Sequence, residues 1–414
     1  MTSARAYLVA LGTAIPALIV ARPADATGPF DLTPKTQFAD VNGDGKADAI
    51  AINNDGVFLR ISTGYSFAPG YSNWTGGAFY GTRGTFFADV TGDNLADAIA
   101  INDDGIYVRP STGSGFASAS NWTGYPFYGD QPNTFRTYFA DVDGDGKADA
   151  LVVNSNGVSV RISTGSSFAS DWNWTGGAFY GTRGTFFADV TGDGKADAIA
   201  VNDDGVFVRA STGSSFPGPA VKWTTGAFYG NAPSLFNTNF ADVNGDNKAD
   251  AIAVNSDGIS VATSTGAKFN SATKWTSSAY YGLLQGTFFA NVHGQPNRAD
   301  VVVVNSDGVY VRASSGFSFN ASNNWTGGAF YGFHYSCSNG IQYTNANGCD
   351  DPVWSCTYSF VKTCWPDRSS YFFVNAAQAC GYSEADALTR LVGGSYTDCN
   401  VTDQTPCCYD GQRI

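Results

Sequence analysis

Short apolar runs alternate with polar turns in a unit that recurs along most of the chain. In the fourth copy, an apolar run at 184–190 precedes an acidic loop at 191–197, and a second apolar run follows at 198–202. At 206–212 apolar and polar residues alternate, as in a half-buried strand, and a looser stretch follows at 216–229. The pattern therefore predicts four β-strands in each unit.

The turn between the second and third predicted strands has the same character in every unit. It reads Asp-Gly or Asn-Gly at 55–56, 104–105, 156–157, 204–205, 257–258 and 307–308. These residues tolerate the positive φ of tight hairpins. Four strands in about fifty residues are typical of a β-propeller blade, whose two apolar faces are covered by its neighbours. The prediction is an all-β propeller of six four-stranded blades, with a seventh blade from the C-terminal tail as an alternative.

A longer period favours six blades. Residues 73–93 recur unchanged at 173–193, so the array consists of three units of two blades each. An open β-solenoid is the other repeat architecture to consider, but its repeats are shorter and do not need four strands each. A closed propeller therefore fits the period better.

Five of the six units carry the pattern Asp-x-(Asn/Thr/Asp)-Gly-Asp-x-x-Ala-Asp between the first two predicted strands. Side-chain oxygens at positions 1, 3, 5 and 9, with the carbonyl of position 7, are directed toward one centre by their odd spacing. Ca²⁺ takes six to eight oxygen ligands, several from carboxylates, and Mg²⁺ prefers fewer protein ligands. We expect about five Ca²⁺ ions. The predicted ligands are Asp40, Asn42, Asp44, Lys46, Asp48, Asp89, Thr91, Asp93, Leu95, Asp97, Asp141, Asp143, Asp145, Lys147, Asp149, Asp189, Thr191, Asp193, Lys195, Asp197, Asp242, Asn244, Asp246, Lys248 and Asp250.

The sixth unit has a degenerate loop that begins at Asn291. His293, Gln295 and Asn297 stand where the other loops have oxygen ligands, and one residue is inserted before Asp300. Most of the negative charge is lost, so we expect no ion there. His293 is expected to be a surface residue.

Composition and the chain ends narrow the class of protein. Net charge is −13, and Glu384 is the only glutamate, so the acidity lies in turns and metal loops rather than in surface helices. An acidic chain lacks the basic face that nucleic acids require. The N-terminus predicts a secretory signal at 1–26, since Arg5 is followed by an apolar run and by the candidate cleavage site Ala24-Asp25-Ala26. A transmembrane anchor fits less well, because the apolar run is short for a membrane span and is interrupted by proline. No second hydrophobic span follows, so the prediction is a secreted, extracellular protein.

The predicted domains are the signal peptide, an N-terminal linker at 27–35, the propeller at 36–332, and a cysteine-rich module at 333–414. An even cysteine count in an exported chain implies up to four disulfides, whose connectivity stays open. Within the module, 375–392 is the best helix candidate. The predicted disulfide cysteines are Cys337, Cys349, Cys356, Cys364, Cys380, Cys399, Cys407 and Cys408.

The loop motifs resemble a known family. The segments DVNGDGKADAIAI, DVDGDGKADALVV and DVTGDGKADAIAV look like FG-GAP/VCBS repeats. The resemblance covers about residues 36–332. It implies a calcium-bearing β-propeller, as in integrin α-subunits and in fungal PVL-type lectins that bind N-acetylglucosamine. Both relatives have seven blades, whereas this chain has six repeats. Since such propellers serve adhesion, glycan binding and enzyme accessory roles, only the calcium positions carry over.

Each unit also carries a tryptophan and, five residues later, the first residue of an aromatic pair that ends in tyrosine. Sugars stack on such rings, so they are candidate ligand residues. The alternative is that the rings pack between blades. The candidates are Trp74, Tyr80, Trp122, Tyr128, Trp174, Tyr180, Trp223, Tyr229, Trp275, Tyr281, Trp325 and Tyr331.

These patterns favour a secreted calcium-binding lectin or adhesion protein. Its partners would be glycans or cell-surface glycoproteins. The alternatives are a protein–protein adhesion module that uses the C-terminal domain, and an accessory or catalytic domain acting on glycans. We expect no enzymatic activity, because only two histidines are present and the clustered aspartates are better explained as calcium ligands.

Overall fold

The computed structural model describes residues 35–129, 137–232, 237–282, 286–295 and 298–332, together with the backbone of five short strands between 354 and 402. Every regular element in these residues is a β-strand. The predicted signal peptide lies outside the described residues. No helix among the described residues is long and apolar enough to span a membrane.

Each repeat forms one antiparallel sheet of four strands, and the strand order in the sheet follows the chain. Blades 1 to 3 contain β1 (Thr36–Ala39), β2 (Asp48–Asn53), β3 (Gly56–Arg60), β4 (Ser72–Asn73), β5 (Gly84–Ala88), β6 (Asp97–Asn102), β7 (Gly105–Arg109), β8 (Ser120–Asn121), β9 (Thr137–Ala140), β10 (Asp149–Asn154), β11 (Gly157–Arg161) and β12 (Trp172–Asn173). Blades 4 to 6 contain β13 (Gly184–Ala188), β14 (Asp197–Asn202), β15 (Gly205–Arg209), β16 (Val221–Lys222), β17 (Thr238–Ala241), β18 (Asp250–Asn255), β19 (Gly258–Ala262), β20 (Thr273–Lys274), β21 (Thr287–Ala290), β22 (Asp300–Asn305), β23 (Gly308–Arg312) and β24 (Asn323–Asn324). The prediction of four strands in each unit is confirmed.

The hydrophobic core lies between the blades. The second strand of each blade is buried along all but its last residue, because adjacent blades cover both of its faces. Between blades 1 and 2, for example, Ile50 and Leu59 pack in one cluster with Ala98 and Phe116 of the next blade. A single blade could not bury these residues, so the repeats are stable only as an array.

Six blades close the ring. The first strands of successive blades contact each other, and β21 of blade 6 contacts β1 of blade 1. An apolar cluster shared by these two blades includes Ala49 and Val302. The six-blade prediction is therefore confirmed, and the seventh-blade alternative is wrong because closure leaves no place for another blade.

The up-and-down strand order sorts the loops between two ends. The acidic loops and the loops between third and fourth strands lie at one end, which we call the loop end. The tight hairpins between second and third strands lie at the other, together with the connections to the next blade. We call this the hairpin end.

The C-terminal strands are β25 (Trp354–Thr357), β26 (Val361–Cys364), β27 (Tyr371–Phe373), β28 (Gln378–Gly381) and β29 (Cys399–Thr402). They form one sheet of two strands and one of three. The helix predicted at 375–392 is wrong over β28, where pairing with β25 overrides local helix preference. The rest of that segment and the cysteine side chains lie outside the described residues.

Candidate metal loops and inter-blade pocket

The first aspartate of each acidic loop organises the backbone around it. In blade 3, Asp141 accepts hydrogen bonds from the amides of Gly144 (2.7 Å) and Gly146 (2.9 Å), one on each carboxylate oxygen. The amide of Asp145 donates to Oδ1 of Asp143 at 3.1 Å. These bonds hold three carboxylates on one short turn.

The sharp bend at position 6 of each acidic loop is left-handed, as the sequence predicted. Asn94 and Asn247 both have a φ of 65°, and they are the only residues other than glycine with positive φ in the described part of the chain. Gly45, Gly146 and Gly194 take the same conformation in the other loops. Asparagine tolerates this region better than most side chains do.

The ninth-position aspartate is fully buried. In blade 3, Asp149 accepts hydrogen bonds from the amides of Ser163 (2.7 Å) and Val142 (3.1 Å). Burial, with a smaller contribution from the charges of Asp143 and Asp141, raises the pKa of Asp149 to about 7 despite these two bonds, which lower it. Burial likewise raises the pKa to about 7 for Asp48, about 6 for Asp97, about 6 for Asp197 and about 7 for Asp250. A nearby cation would favour the ionised form of each of these carboxylates.

Three carboxylates of the blade 3 loop lie close enough to hold one cation. Asp141, Asp143 and Asp149 each offer an oxygen, and these oxygens lie within 4.8 Å of one another. Ca²⁺ binds carboxylate oxygens at about 2.3–2.6 Å, so ligands around one ion fall within that separation. The residues present therefore fit the cation that the motif predicts. In the other loops, position 3 is Asn42, Thr91, Thr191 or Asn244.

A lysine in most loops pairs with the fifth-position aspartate. Lys46 Nζ lies 2.7 Å from Asp44 Oδ2, and Lys195 and Lys248 make equivalent pairs at 3.0 and 3.1 Å with Asp193 and Asp246. Blade 3 has the same pair between Lys147 and Asp145. The ammonium group and a bound cation would compete for the same carboxylate, because both are attracted to its charge.

The loops also join neighbouring blades. The amide of Ala96 donates to the carbonyl oxygen of Asp40 in the preceding blade at 2.8 Å, and the equivalent bond occurs at every junction. The seventh residue of one loop lies on a glycine of the preceding loop: a Cβ on Gly92 would come within 2.7 Å of Lys147 Cγ. The six loops therefore form a continuous ring at the loop end.

A buried serine reinforces each junction. Ser62 donates its hydroxyl to the carbonyl of Val292 in the preceding blade at 2.7 Å. Equivalent bonds are made by Ser111, Ser163, Ser211, Ser264 and Ser314. Sequence reasoning missed these residues, although a serine two residues after the third strand in all six repeats was a usable signal.

The degenerate sixth loop is held by direct side-chain bonds. His293 Nδ1 lies 2.9 Å from Asp300 Oδ2, and its ring packs edge-on against Trp325 with centroids 4.7 Å apart. Asn291 donates its amide to the carbonyl of Gln295 at 2.8 Å. His293 was expected at the surface, and its side chain is 20% exposed because these two partners cover most of the ring.

The predicted aromatic ligands divide into two groups. Five tryptophans are 4–7% exposed and pack between blades, each against a phenylalanine of the next blade, as Trp122 does against Phe168 with ring centroids 5.3 Å apart. Trp74 is partly buried and packs in the same way against Phe116. The structure thus favours the packing alternative for the tryptophans. The tyrosines lie nearer the surface at the hairpin end, and Tyr180 is 42% exposed.

A cavity of about 200 Å³ opens between blades 1 and 2. Blade 1 contributes Phe79 and Tyr80, and blade 2 contributes Asn102 and Tyr107. The small residues Ala78, Ala100 and Ala119 complete the lining. Of the predicted ligand residues, the structure places Tyr80 in this pocket. Tyr107 and Ala119 were not predicted, because only the three-dimensional pairing of two blades brings them together.

Comparisons with known proteins agree with this architecture. FG-GAP-like repeats match residues 89–152 and 141–200. The structure shows the same four-stranded unit in all six repeats. The chain is a six-bladed β-propeller with FG-GAP-like repeats.

Comparison with solved structures finds a lectin of similar fold. An Agrocybe aegerita lectin that recognises non-reducing terminal N-acetylglucosamine is similar, with a TM-score of 0.51 and 22% identity over 72% of this chain and 81% of the lectin chain. The Photorhabdus luminescens Tc holotoxin pore matches with a TM-score of 0.48 and 13% identity over 73% of this chain and 15% of that chain. At such identities the likeness concerns the fold alone. No curated protein sequence matches the chain.

Proposed function

We propose that the protein is a secreted, calcium-stabilised β-propeller that binds saccharides between its blades and acts as a lectin or adhesion protein. The observation that carries the proposal is the pocket between blades 1 and 2, where aromatic rings, an amide and small apolar residues converge. The signal-like N-terminus supports secretion. The similarity to a lectin propeller is consistent with saccharide binding.

The pocket suits a single sugar ring. Its volume of about 200 Å³ is below the ~300–1,000 Å³ typical of sites for drug-sized ligands. Tyr107 is half-buried and its hydroxyl donates to Asp104 at 2.7 Å, which fixes the ring as a rigid wall. The side chain of Asn102 accepts a hydrogen bond from the backbone amide of Thr82, which fixes its orientation. Rigid aromatic rings stack on the apolar C–H faces of sugars, and oriented amides form hydrogen bonds with their hydroxyl groups.

Calcium has a structural role in this proposal. A cation held by Asp141, Asp143 and Asp149 would neutralise the charge that accumulates in the blade 3 loop. Because the loops are joined in a ring, this stabilisation reaches the neighbouring blades. The saccharide pocket lies at the opposite end of the blade, so calcium would support the pocket through the fold and not by touching the ligand. We propose binding without catalysis.

A glycan array with the full secreted chain, in Ca²⁺ and in chelator, tests the proposal. We expect binding to a coherent set of sugars, reduced in chelator and weakened by Tyr107→Ala. Tyr65→Ala is the control, because Tyr65 is 86% exposed at the loop end. A blank array from folded, calcium-loaded protein would reject saccharide binding. It would direct attention to protein adhesion through residues 333–414.

A further inference from the structure

The positions that line the pocket between blades 1 and 2 recur at every other junction. We call the residue just before each outer strand the rim position, and the fourth residue of each second strand the floor position. From blade 1 to blade 6, the rim residues are Tyr71, Ala119, Asp171, Ala220, Ala272 and Ser322. The floor residues are Ala51, Ala100, Val152, Ala200, Ala253 and Val303. The described cavity has alanine at both positions.

The junction between blades 6 and 1 is filled by its rim residue. Tyr71 packs edge-on against Phe58, with ring centroids 5.6 Å apart. Phe58 stands where Tyr107 forms the wall of the open pocket. A tyrosine ring therefore lies against the wall at this junction, where the first junction has only Ala119, although Tyr71 remains 63% exposed.

The junction between blades 2 and 3 is closed by a polar network. Asp171 accepts a hydrogen bond from Arg161 Nη2 at 3.2 Å and lies 3.5 Å from the Tyr125 hydroxyl. The guanidinium lies 4.2 Å from the Tyr125 ring centroid and 4.7 Å from that of Phe127. Arg161 is only 2% exposed as a result. The floor residue at this junction is Val152, which is larger than the alanine of the open pocket.

The junction between blades 5 and 6 is bridged by a hydrogen bond. The hydroxyl of Tyr280 lies 3.0 Å from the rim hydroxyl of Ser322. Tyr280 stands where the open pocket has Phe79, which has no hydroxyl. This bond connects the two blades across the junction, whereas Phe79 and Ala119 make no such bond in the open pocket. The floor residue at this junction is Val303.

Three junctions have none of these three obstructions. Those between blades 1 and 2, 3 and 4, and 4 and 5 have alanine at both the rim and the floor, and phenylalanine at the Phe79 position. Their walls differ: Tyr107 is replaced by Phe207 between blades 3 and 4 and by Ser260 between blades 4 and 5. The wall ring is therefore present at two of these junctions.

We propose that the rim residue sets the valency of the propeller, so that the three alanine-rimmed junctions each bind one saccharide and the other three are closed by their own side chains. This inference rests on the proposed saccharide function. Three linked sites would give avidity on a surface with repeated glycans, without high affinity at any one site. The tightest binding is expected between blades 1 and 2, because between blades 3 and 4 Lys222 Nζ lies over the Phe207 wall ring, 5.6 Å from its centroid.

Isothermal titration calorimetry with N-acetylglucosamine tests this rule, that the rim residue sets the valency, because it measures the number of sugars bound per chain. We expect about three sugars per chain, one fewer for Ala119→Tyr, and one more for Tyr71→Ala. Ser118→Tyr is the matched control, because Ser118 is exposed beside the rim and should leave the number unchanged. Six sugars per chain, or unchanged binding by Ala119→Tyr, would overturn the rule while leaving the saccharide function intact.

If no sugar binds, the proposed saccharide function is rejected, but the rule about the rim residues can still be tested by a second measurement. Crystals soaked in isopropanol should show the probe at the three alanine-rimmed junctions and not at the others. In Ala119→Tyr crystals the probe should be absent between blades 1 and 2. Probe at the junctions of Tyr71, Asp171 or Ser322 in the native protein would contradict the rule directly.

Discussion

The amide of Ala47 donates a hydrogen bond to the carbonyl oxygen of Asn291 at 2.7 Å and so joins the first blade to the last. No strand is exchanged across this seam, since each blade uses four consecutive strands. Closure depends on such polar bonds and on the apolar cluster that the two blades share. Loss of one buried bond at the seam should therefore weaken the whole ring.

Replacing Ser62 by alanine should lower the free energy of unfolding by about 1–3 kcal/mol, because the buried carbonyl of Val292 loses its donor. Denaturant unfolding followed by fluorescence would measure the change. Ser114→Ala is the control, since Ser114 is exposed in the same region of blade 2. Equal stability of the two variants would show that the seam bond contributes nothing.

Replacing Asp143 by asparagine should weaken one calcium site about tenfold, equivalent to ~1.4 kcal/mol, without changing the metal-free fold. The reason is that Asn42 already makes the same backbone bond in blade 1, accepting from the amide of Asp44 at 3.0 Å. Calorimetric titration with Ca²⁺ would measure the affinity. The matched control is Asp55→Asn, which removes the same charge from an exposed residue at the hairpin end, opposite the acidic loops. An unaltered isotherm for Asp143→Asn would contradict the metal site.

The metal-free protein should be more stable at pH 5 than at pH 8. The buried ninth-position aspartates, such as Asp149 and Asp197, have folded pKa values of about 7 and about 6, above the unfolded value of ~3.9. Their contribution is thus fully present below pH ~4 and is lost as pH rises through 6 to 7. Calcium binds the ionised form, so excess Ca²⁺ should reverse the trend. Melting temperatures across pH, with and without chelator, would check this. Parallel curves would refute it.

The tryptophans and tyrosines should respond differently to truncation. Trp122→Ala should cost about 3–5 kcal/mol of stability, because the ring is 6% exposed and packs against the next blade. Tyr180→Ala should leave stability within ~0.5 kcal/mol and reduce saccharide binding, since Tyr180 is 42% exposed at the hairpin end. Thermal melts and sugar titrations on both variants separate the two roles. A stable Trp122→Ala variant that merely loses sugar binding would reverse the assignment.

The sequence alone determined the repeat, the four strands of each blade and the acidic loops. It could do so because these depend on local patterns, namely alternating polarity, Asp-Gly turns and odd-spaced carboxylates. The left-handed bend at Asn94 and Asn247 was predictable for the same reason, since it is required within the loop itself. The helix expected at 375–392 failed because Gln378–Gly381 pairs with a distant strand.

Only the tertiary structure decided what happens between blades. Whether a tryptophan is core or surface, and whether Tyr71 or Ala119 fills or opens a junction, depends on a neighbouring blade about fifty residues away. The ring of loops and the seam at Asn291 have the same origin. Repeat periodicity specifies each blade, but pockets and closure arise where two blades meet, and there single side chains break the symmetry.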